Sequence, residues 1–458
     1  MKVKELLTLE VADLVLGGKA LARDDGRVVF VDRGLPGDRV LAMVTKSKKS
    51  FAEARLVQVE RPSPNRVPAR CVHVEQCGGC RMQELPYDAQ CALKERQVAE
   101  TLRHLGGIAD ARVHPIVPAP SPWNYRNKME FSFMRTAEGG LVLGLHERGT
   151  FDGVFDLREC HIAAPIASRV VALTQRFARE HGWLAHHHAR LDGVVRFLTV
   201  RHLALTGECA VHLIAATEDV PDVRAWAAEV AALSPEVKTV TLGVTTTRSS
   251  VAFMEREIPL VGSGTIVERL LGLEYEVVGN AFLQTNSAQA EKLYALALEA
   301  AQLRGDETVL DLYSGAGTLT LLFARAAKLA VGVEAVAEAV ERARRNATRN
   351  GLPATRFVCG DTRQVLREWA RGEREGGVKP DVVVVDPPRA GLHPRVVVRC
   401  AELRPRTIVY VSCNPATLAR DLKDFSGLGY ALREVTPVDM FPHTPHIECV
   451  ARLEPRPA

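Results

Sequence analysis

The segment 406-RTIVYVSCNPATLARD-421 runs apolar and β-branched residues straight into Cys413, and Asn-Pro follows at once. A strand that ends on a cysteine and then breaks sets a thiol at a sheet edge, where a ligand reaches it. Three roles are open to such a thiol: buried core residue, metal ligand or nucleophile. Acids recur at equivalent places upstream. Asp311 opens the turn of 307-ETVLDLYSGAGTLT-320, Glu334 ends the next apolar run, Asp361 ends a third and Asp386 a fourth. In open α/β sheets, ligands sit at the carboxyl ends of the strands. Four acids and a thiol on one such edge point to a site. Gly315 and Gly317 allow a tight turn and close approach to a ligand. The third glycine of a dinucleotide fingerprint is absent, since Thr320 stands there. An acid before the turn suits a ligand with a positive amino group better than a pyrophosphate. Glu334 is placed where a ribose hydroxyl pair is read.

A second constellation is 71-CVHVEQCGGC-80, with spacing C-x5-C-x2-C and Gly78-Gly79 between two of the thiols. Cysteines this dense point to a metal, and C-x2-C fits zinc or iron–sulfur. The C-x3-C-x2-C spacing of radical enzymes is not matched. The nearest further cysteine, Cys91, falls on the apolar face of a predicted helix with Val98, Leu102 and Leu105, which makes it a core residue.

The elements that must position these groups fall into three stretches. Residues 1–62 read as short Val- and Leu-rich strands, TLEVADLVL, RVVFVDR, DRVLAMVTKSKK and EARLVQVE, punctuated by Gly17-Gly18, Asp25-Gly26 and Leu35-Pro36-Gly37-Asp38. That pattern suggests a small barrel. A Pro- and Arg-rich linker (61-RPSPNRVPARC-71) leads into the cysteines, and residues 63–280 mix strands and helices. From 281 to 458 the pattern becomes regular. ETVLDLY, KLAVGVEA, TRFVCGD, DVVVVDPP and RTIVYVSC are near-continuous apolar strands with helical segments between the earlier ones, the mark of a buried parallel sheet. The stretch 371-RGEREGGVKP-380 reads as an exposed loop.

A chain of 458 residues exceeds one compact core, and its 47% apolar and 25% charged composition reads as soluble and globular. No apolar run is long enough for a membrane helix, and MKVKELLTLEVADLVLGG carries acids through its apolar part, unlike a signal peptide. A cytoplasmic location is expected, where ten cysteines do not form a disulfide framework. The first 70 residues hold 14 Lys and Arg against 9 Asp and Glu, although the whole chain is only +4. A basic N-terminal module suggests a polyanionic partner, RNA or DNA first.

Five segments, 282-FLQTNSAQAEKLY-294, DLYSGAGTLT, 385-VDPPRAGL-392, 410-YVSCNPATLARD-421 and 441-FPHTPHIECV-450, together resemble the RNA uracil-5-methyltransferases. These are class I S-adenosylmethionine-dependent enzymes that make 5-methyluridine in ribosomal or transfer RNA. The N-terminal part, with LPGDRV and the linker into the cysteines, resembles the TRAM domain of the 23S ribosomal RNA branch. The resemblance implies an α/β fold. It comprises a TRAM-like, OB-like barrel (1–62), a central α+β domain with an iron–sulfur cluster (63–280) and a Rossmann-like methyltransferase domain (281–458). It implies Cys413 as the nucleophile that adds to C6 of uracil and Glu448 as the base that removes the C5 proton. Gln284, Tyr313, Thr318, Glu334, Asp361 and Asp386 are implied as contacts to S-adenosyl-L-methionine. At 318 many family members carry Asn, and Thr keeps a hydrogen-bonding side chain there. The branch with C-x5-C-x2-C binds a [4Fe–4S] cluster, which implies Cys71, Cys77, Cys80 and the distant Cys160 as its ligands. Arg126, Lys128 and Arg389 are candidate RNA contacts.

Two other readings compete. Cytosine-5-methyltransferases also use a cysteine adduct, but the RNA enzymes carry it in a TC motif and have PC after the fourth strand, where this chain has DPPR. A non-catalytic RNA-binding or assembly protein would not need the nucleophile, base and cofactor edge that are present here. A monomer is the default expectation.

Overall fold

A computed structural model describes residues 1–136, 139–150, 153–187, 192–248 and 251–457. The N-terminal strands β1 (Leu6–Leu14), β2 (Ala20–Asp24), β3 (Arg27–Val31), β4 (Arg39–Ser47) and β5 (Phe51–Arg61) close into a barrel in the order β1-β2-β3-β5-β4. The alternation along β1 buries Leu7, Leu9 and Val11, and small residues (Ala20, Ala22, Ala42, Ala52, Ala54) fill the narrow interior. Asp25 and Gly26 both take positive φ between β2 and β3, as a two-residue hairpin turn of this hand requires. Strand β2, ALARD, is one the sequence pattern does not announce, because it is short and ends in charges.

The cysteine loop leads into α1 (Tyr87–His104). Cys91, Val98 and Leu102 are buried as expected, whereas Leu105 lies just past the helix and is exposed. The helix packs on the C-terminal layer, with Val98 and Leu102 in one core with Leu418 and Leu422.

The central part holds β6 (Lys128–Arg135), β7 (Leu141–His146), β8 (Val154–Asp156), α2 (Pro165–Glu180), β9 (Val195–Leu203), β10 (Glu208–Ala215), α3 (Val223–Ala232), β11 (Val237–Val244) and β12 (Arg256–Val261). Its sheet runs β12-β11-β10-β9-β6-β7-β8, with only β10 and β11 parallel among the described pairs. The hairpin β13 (Ile266–Leu270) and β14 (Leu273–Val277) buries Ile266, Tyr275 and Val277 in the core of the C-terminal layer.

That layer contains α4 (Ser287–Ala301), β15 (Thr308–Leu312), α5 (Thr318–Ala324), β16 (Leu329–Glu334), α6 (Ala337–Arg349), β17 (Thr355–Cys359), α7 (Thr362–Arg371), β18 (Val382–Val385), α8 (Pro394–Glu402), β19 (Thr407–Ser412), α9 (Pro415–Gly427), β20 (Tyr430–Val438) and β21 (Glu448–Pro455). The order is β17-β16-β15-β18-β19-β21-β20, with β21 antiparallel to both neighbours. The five strands expected from the apolar runs are β15 to β19. β15, β16, β18 and β19 are buried on both faces, which is why they read as continuous rather than alternating, while the edge strand β17 buries Phe357 alone. The order reverses between β15 and β18, and loops diverging at such a point open a crevice. Among the described residues no helix is long and apolar enough to cross a membrane.

Candidate active site and cysteine centre

The crevice is a cavity of about 850 Å³ over the carboxyl ends of β15, β16, β18 and β19. Gln284, Tyr313, Thr318, Glu334, Asp386, Cys413 and Glu448 all line it. Asp361 does not. It is exposed, caps α7 by accepting from the Gln364 N–H at 3.0 Å, and stands beside Arg363.

The glycine turn is built for close approach. Tyr313 has φ 70°, an unusual conformation for a tyrosine, and its N–H donates to Val333 O at 3.0 Å. Gly317 has φ 86°, and a Cβ there would stand 3.0 Å from the Ala343 Cβ and 3.1 Å from the Phe357 ring. The Glu334 carboxylate accepts from the N–H of Gly315 (2.9 Å) and of Val336 (2.8 Å), which fixes it at the cavity wall. Thr320, where a dinucleotide enzyme has its glycine, donates its hydroxyl to Asp311 at 2.5 Å. The other Asp311 oxygen has no partner, and burial, with Asp386 and Glu334 nearby, pushes its carboxyl up to about 7. Gln284 sits in a loop tied to the central sheet. Asn127 donates to Gln284 O at 2.9 Å and Arg201 to Ala281 O at 2.7 Å.

Cys413 follows the last residue of β19 directly. Asn414 then caps α9, accepting from the Ala416 N–H, and Pro415 takes the first helical position. The Asn-Pro pair is therefore a helix start that leaves the thiol at the mouth of the strand. The β19–β21 register pairs Ser412 with Cys449, and one step further sets Cys413 opposite Glu448. Ile447 and Cys449 point into the core while Glu448 faces the cavity. Burial raises the Cys413 thiol to about 11, with Glu448 and Asp386 adding to the effect and Arg389 opposing it. Glu448 is held well above the carboxylate range by burial and by Asp386. Burial lifts Asp386 to about 7. Thiol and carboxyls thus crowd one space, and all prefer their protons.

His446 and Phe441 are wall residues that sequence reasoning passed over. His446 precedes Glu448 by two, so strand alternation carried a signal for it. Arg389 donates to His446 Nδ1 at 2.7 Å, and burial holds the imidazole neutral, down to about 4. The loop after β18 is pinned from below by buried Asp421, which accepts from the Leu392 N–H and the Tyr410 hydroxyl, each at 2.7 Å. Arg126 lines the cavity, while Lys128 lies outside it and pairs with Glu130 at 2.6 Å.

A second cavity, of about 570 Å³, adjoins the first, and Arg126 and residues of the 281–285 loop line both. Cys71, Cys77, Cys80 and Cys160 all border it, whereas Cys91 does not. Backbone N–H groups donate to two of the sulfurs, His73 to Cys71 (3.4 Å) and Gly79 to Cys77 (3.3 Å). Arg148 donates to the carbonyls of Val74, Cys77 and Cys80, holding the loop in shape. Among the described residues no three His, Cys, Asp or Glu side chains converge as ligands of one metal ion.

The fold and crevice define a class I methyltransferase joined to an N-terminal β-barrel. Residues 121–456 match the tRNA (uracil-5-)-methyltransferase family and residues 3–57 the TRAM domain, and the chain belongs to that family. It is an S-adenosylmethionine-dependent RNA (uracil-5-)-methyltransferase. It is 39% identical to an uncharacterized RNA methyltransferase of Bacillus cereus, over 98% of this chain and 97% of that one. An uncharacterized RNA methyltransferase of Nitratidesulfovibrio vulgaris is 40% identical over 98% and 95%. Among solved structures, the tRNA (uracil-54, C5)-methyltransferase of Pyrococcus abyssi in complex with S-adenosyl-L-homocysteine superposes with a TM-score of 0.77. It is 30% identical and covers 97% of this chain and 99% of its own.

Proposed function

We propose that the enzyme methylates C5 of a uridine in 23S ribosomal RNA through a covalent adduct between Cys413 and C6. The observation that carries the covalent mechanism is the juxtaposition of Cys413 with Glu448 across the β19–β21 register, beside the cofactor crevice. C5 of uracil is a poor nucleophile until a thiolate adds at C6 and turns the ring into an enolate. S-adenosylmethionine supplies the electrophilic methyl group when bound. Once ionised, Glu448 takes the C5 proton as general base, and the Cys413 sulfur leaves as C5–C6 unsaturation is restored. Gln284, Tyr313, Thr318, Glu334 and Asp386 hold and orient the cofactor, Glu334 at the ribose. Asp361 serves from the rim, on the adenine side. The target base leaves its stack to enter the crevice, with Arg126 and Arg389 on the RNA path.

Cys71, Cys77, Cys80 and Cys160 hold a [4Fe–4S] cluster in this reading. The support for this is that all four thiols border one cavity and that backbone N–H groups donate to two of the sulfurs, as cysteine ligation of an iron–sulfur group would use. Its part is structural, since this methyl transfer moves no electron. The chain divides in function at 1–62, 63–280 and 281–458. The barrel contributes RNA binding.

Transfer RNA is the second reading, favoured by the full-length similarity to the Pyrococcus abyssi enzyme. One experiment tests the mechanism and separates the substrates. The protein and cofactor are incubated with ribosomal or transfer RNA carrying 5-fluorouridine, beside Cys413→Ala. Fluorine cannot leave as a proton, so a denaturation-resistant adduct is expected, and only with Cys413 present. Sequencing the trapped RNA assigns its class. No adduct on either RNA, with cofactor bound, sinks the covalent mechanism.

A further inference from the structure

The loop 439–447 carries Phe441 and His446 to the cavity wall and delivers Glu448. Its outer side is held by residues that flank the cysteine centre. The N–H groups of Arg81 and Met82, the two residues after Cys80, both donate to His443 O, at 2.9 and 3.1 Å. Gln90 on α1 accepts from the His443 N–H at 2.9 Å and reaches His443 Nδ1 at 3.1 Å. Tyr125, packed in one cluster with Cys80 and Ile162, donates its hydroxyl to Pro442 O at 3.0 Å. Lys94 donates to Phe441 O and pairs with Asp439 at 2.6 Å, both side chains fully buried. Trp123 packs against His443 with ring centroids 4.0 Å apart and the planes tilted by 32°. His443 has φ 65°, in the left-handed region that costs a non-glycine residue energy.

We propose that the cysteine loop is the clamp on the catalytic-base loop, with Tyr125, Gln90 and the Arg81–Met82 backbone as positioning groups. The load path is continuous. Arg148, just past β7, straps the carbonyls of Val74, Cys77 and Cys80, the next two residues grip His443, and five residues later the strand presents Glu448. On the glycine-turn side of the crevice Glu334 is fixed by the Gly315 and Val336 N–H groups rather than by these residues, whereas the loop also reaches the start of α4, where Asn286 donates to Met440 O at 3.1 Å and Gln289 to Asp439 O at 3.0 Å. The integrity of the four-cysteine centre therefore governs the proton-removal step more than cofactor binding. This rests on Glu448 acting as the base.

The test compares Tyr125→Phe, Cys80→Ser and Glu448→Gln. Tyr125→Phe keeps the ring against Cys80 and removes one buried hydrogen bond. That should lower kcat by about 5- to 10-fold. The RNA KM, S-adenosylhomocysteine affinity and iron content should stay unchanged. Amide exchange should quicken at 440–447 and not at 309–335. Cys80→Ser should quicken the same segment further and retain S-adenosylhomocysteine binding. Wild-type protection of 440–447 in both variants overturns the proposal, as does loosening spread evenly over the catalytic layer. If Cys80→Ser does not fold, Tyr125→Phe decides alone. Full turnover in Glu448→Gln would instead remove the base assignment. Lost turnover there, beside wild-type kcat in Tyr125→Phe, would remove only the clamp.

Discussion

The resting thiol of Cys413 should be hard to alkylate, and the structure sets the scale. Burial, Glu448 and Asp386 together hold it up to about 11 against the help of Arg389. At pH 8 such a thiol is ionised in about one molecule in a thousand, against about one in four for a free cysteine near ~8.5. The more basic thiolate is the better nucleophile, by about tenfold for this gap at a Brønsted slope near ~0.45. The net expectation is iodoacetamide reaction about 20-fold slower than a free cysteine of equal access. The three groups share one space and titrate as a set. Glu448→Gln and Asp386→Asn should each lower the apparent thiol pKa by on the order of one pH unit and speed alkylation accordingly. S-adenosylmethionine, cationic at sulfur, should accelerate the reaction where S-adenosylhomocysteine, neutral at sulfur, does not. The nucleophile would then be armed by the methyl donor itself. The assay is the pH–rate profile of Cys413 labelling, read by mass spectrometry of the 406–421 peptide. A wild-type midpoint below pH 9, or one indifferent to both carboxyl substitutions, refutes the electrostatic account.

Other outcomes follow from the same geometry. Glu448→Gln on natural RNA should transfer methyl but fail to release it, leaving a protein–RNA band that survives denaturing electrophoresis. Asp311 and Asp386, raised to about 7, keep protons in the folded state that the unfolded chain has already released, so apo stability should fall as pH rises between about 4 and 7. Thermal melts across that window should show the drop, Asp386→Asn should flatten part of it, and S-adenosylhomocysteine affinity by calorimetry should rise as Asp311 ionises toward the amino group. Gly317→Ala strains φ 86° and presses on Ala343 and Phe357, which should cost about 1–3 kcal/mol in urea unfolding and weaken cofactor binding. Cys160→Ser should abolish the visible absorbance of an iron–sulfur cluster, whereas Cys91→Ser should leave it intact.

The sheet was legible because β15, β16, β18 and β19 are buried on both faces, and burial on both faces writes itself as uninterrupted valine and leucine. The acids were legible because a strand end is marked by the same break that places a side chain in the crevice. Strand β2 escaped for the opposite reason, since four of its five residues carry charge or face the barrel with alanine alone. Asp361 stands two residues past the end of β17, where its oxygen is engaged at the first turn of α7, so the side chain lies at the rim.

What no local pattern reports is the closure between distant segments. His443 reads as one polar residue in FPHTPHIECV, and Gln90 as one polar residue on a helix, yet 353 positions apart each satisfies the other. Lys94 falls on what periodicity assigns to an apolar face, and it is tolerated there only because Asp439 meets it at 2.6 Å. Each of these groups would be a costly burial taken alone. Their partners lie on the loop that brings Glu448 to Cys413, so the cost is recovered only when that loop is in place. Misplacing the loop leaves an uncompensated ammonium and several unpaired carbonyls, and this makes the working position of the base the stable one before RNA arrives.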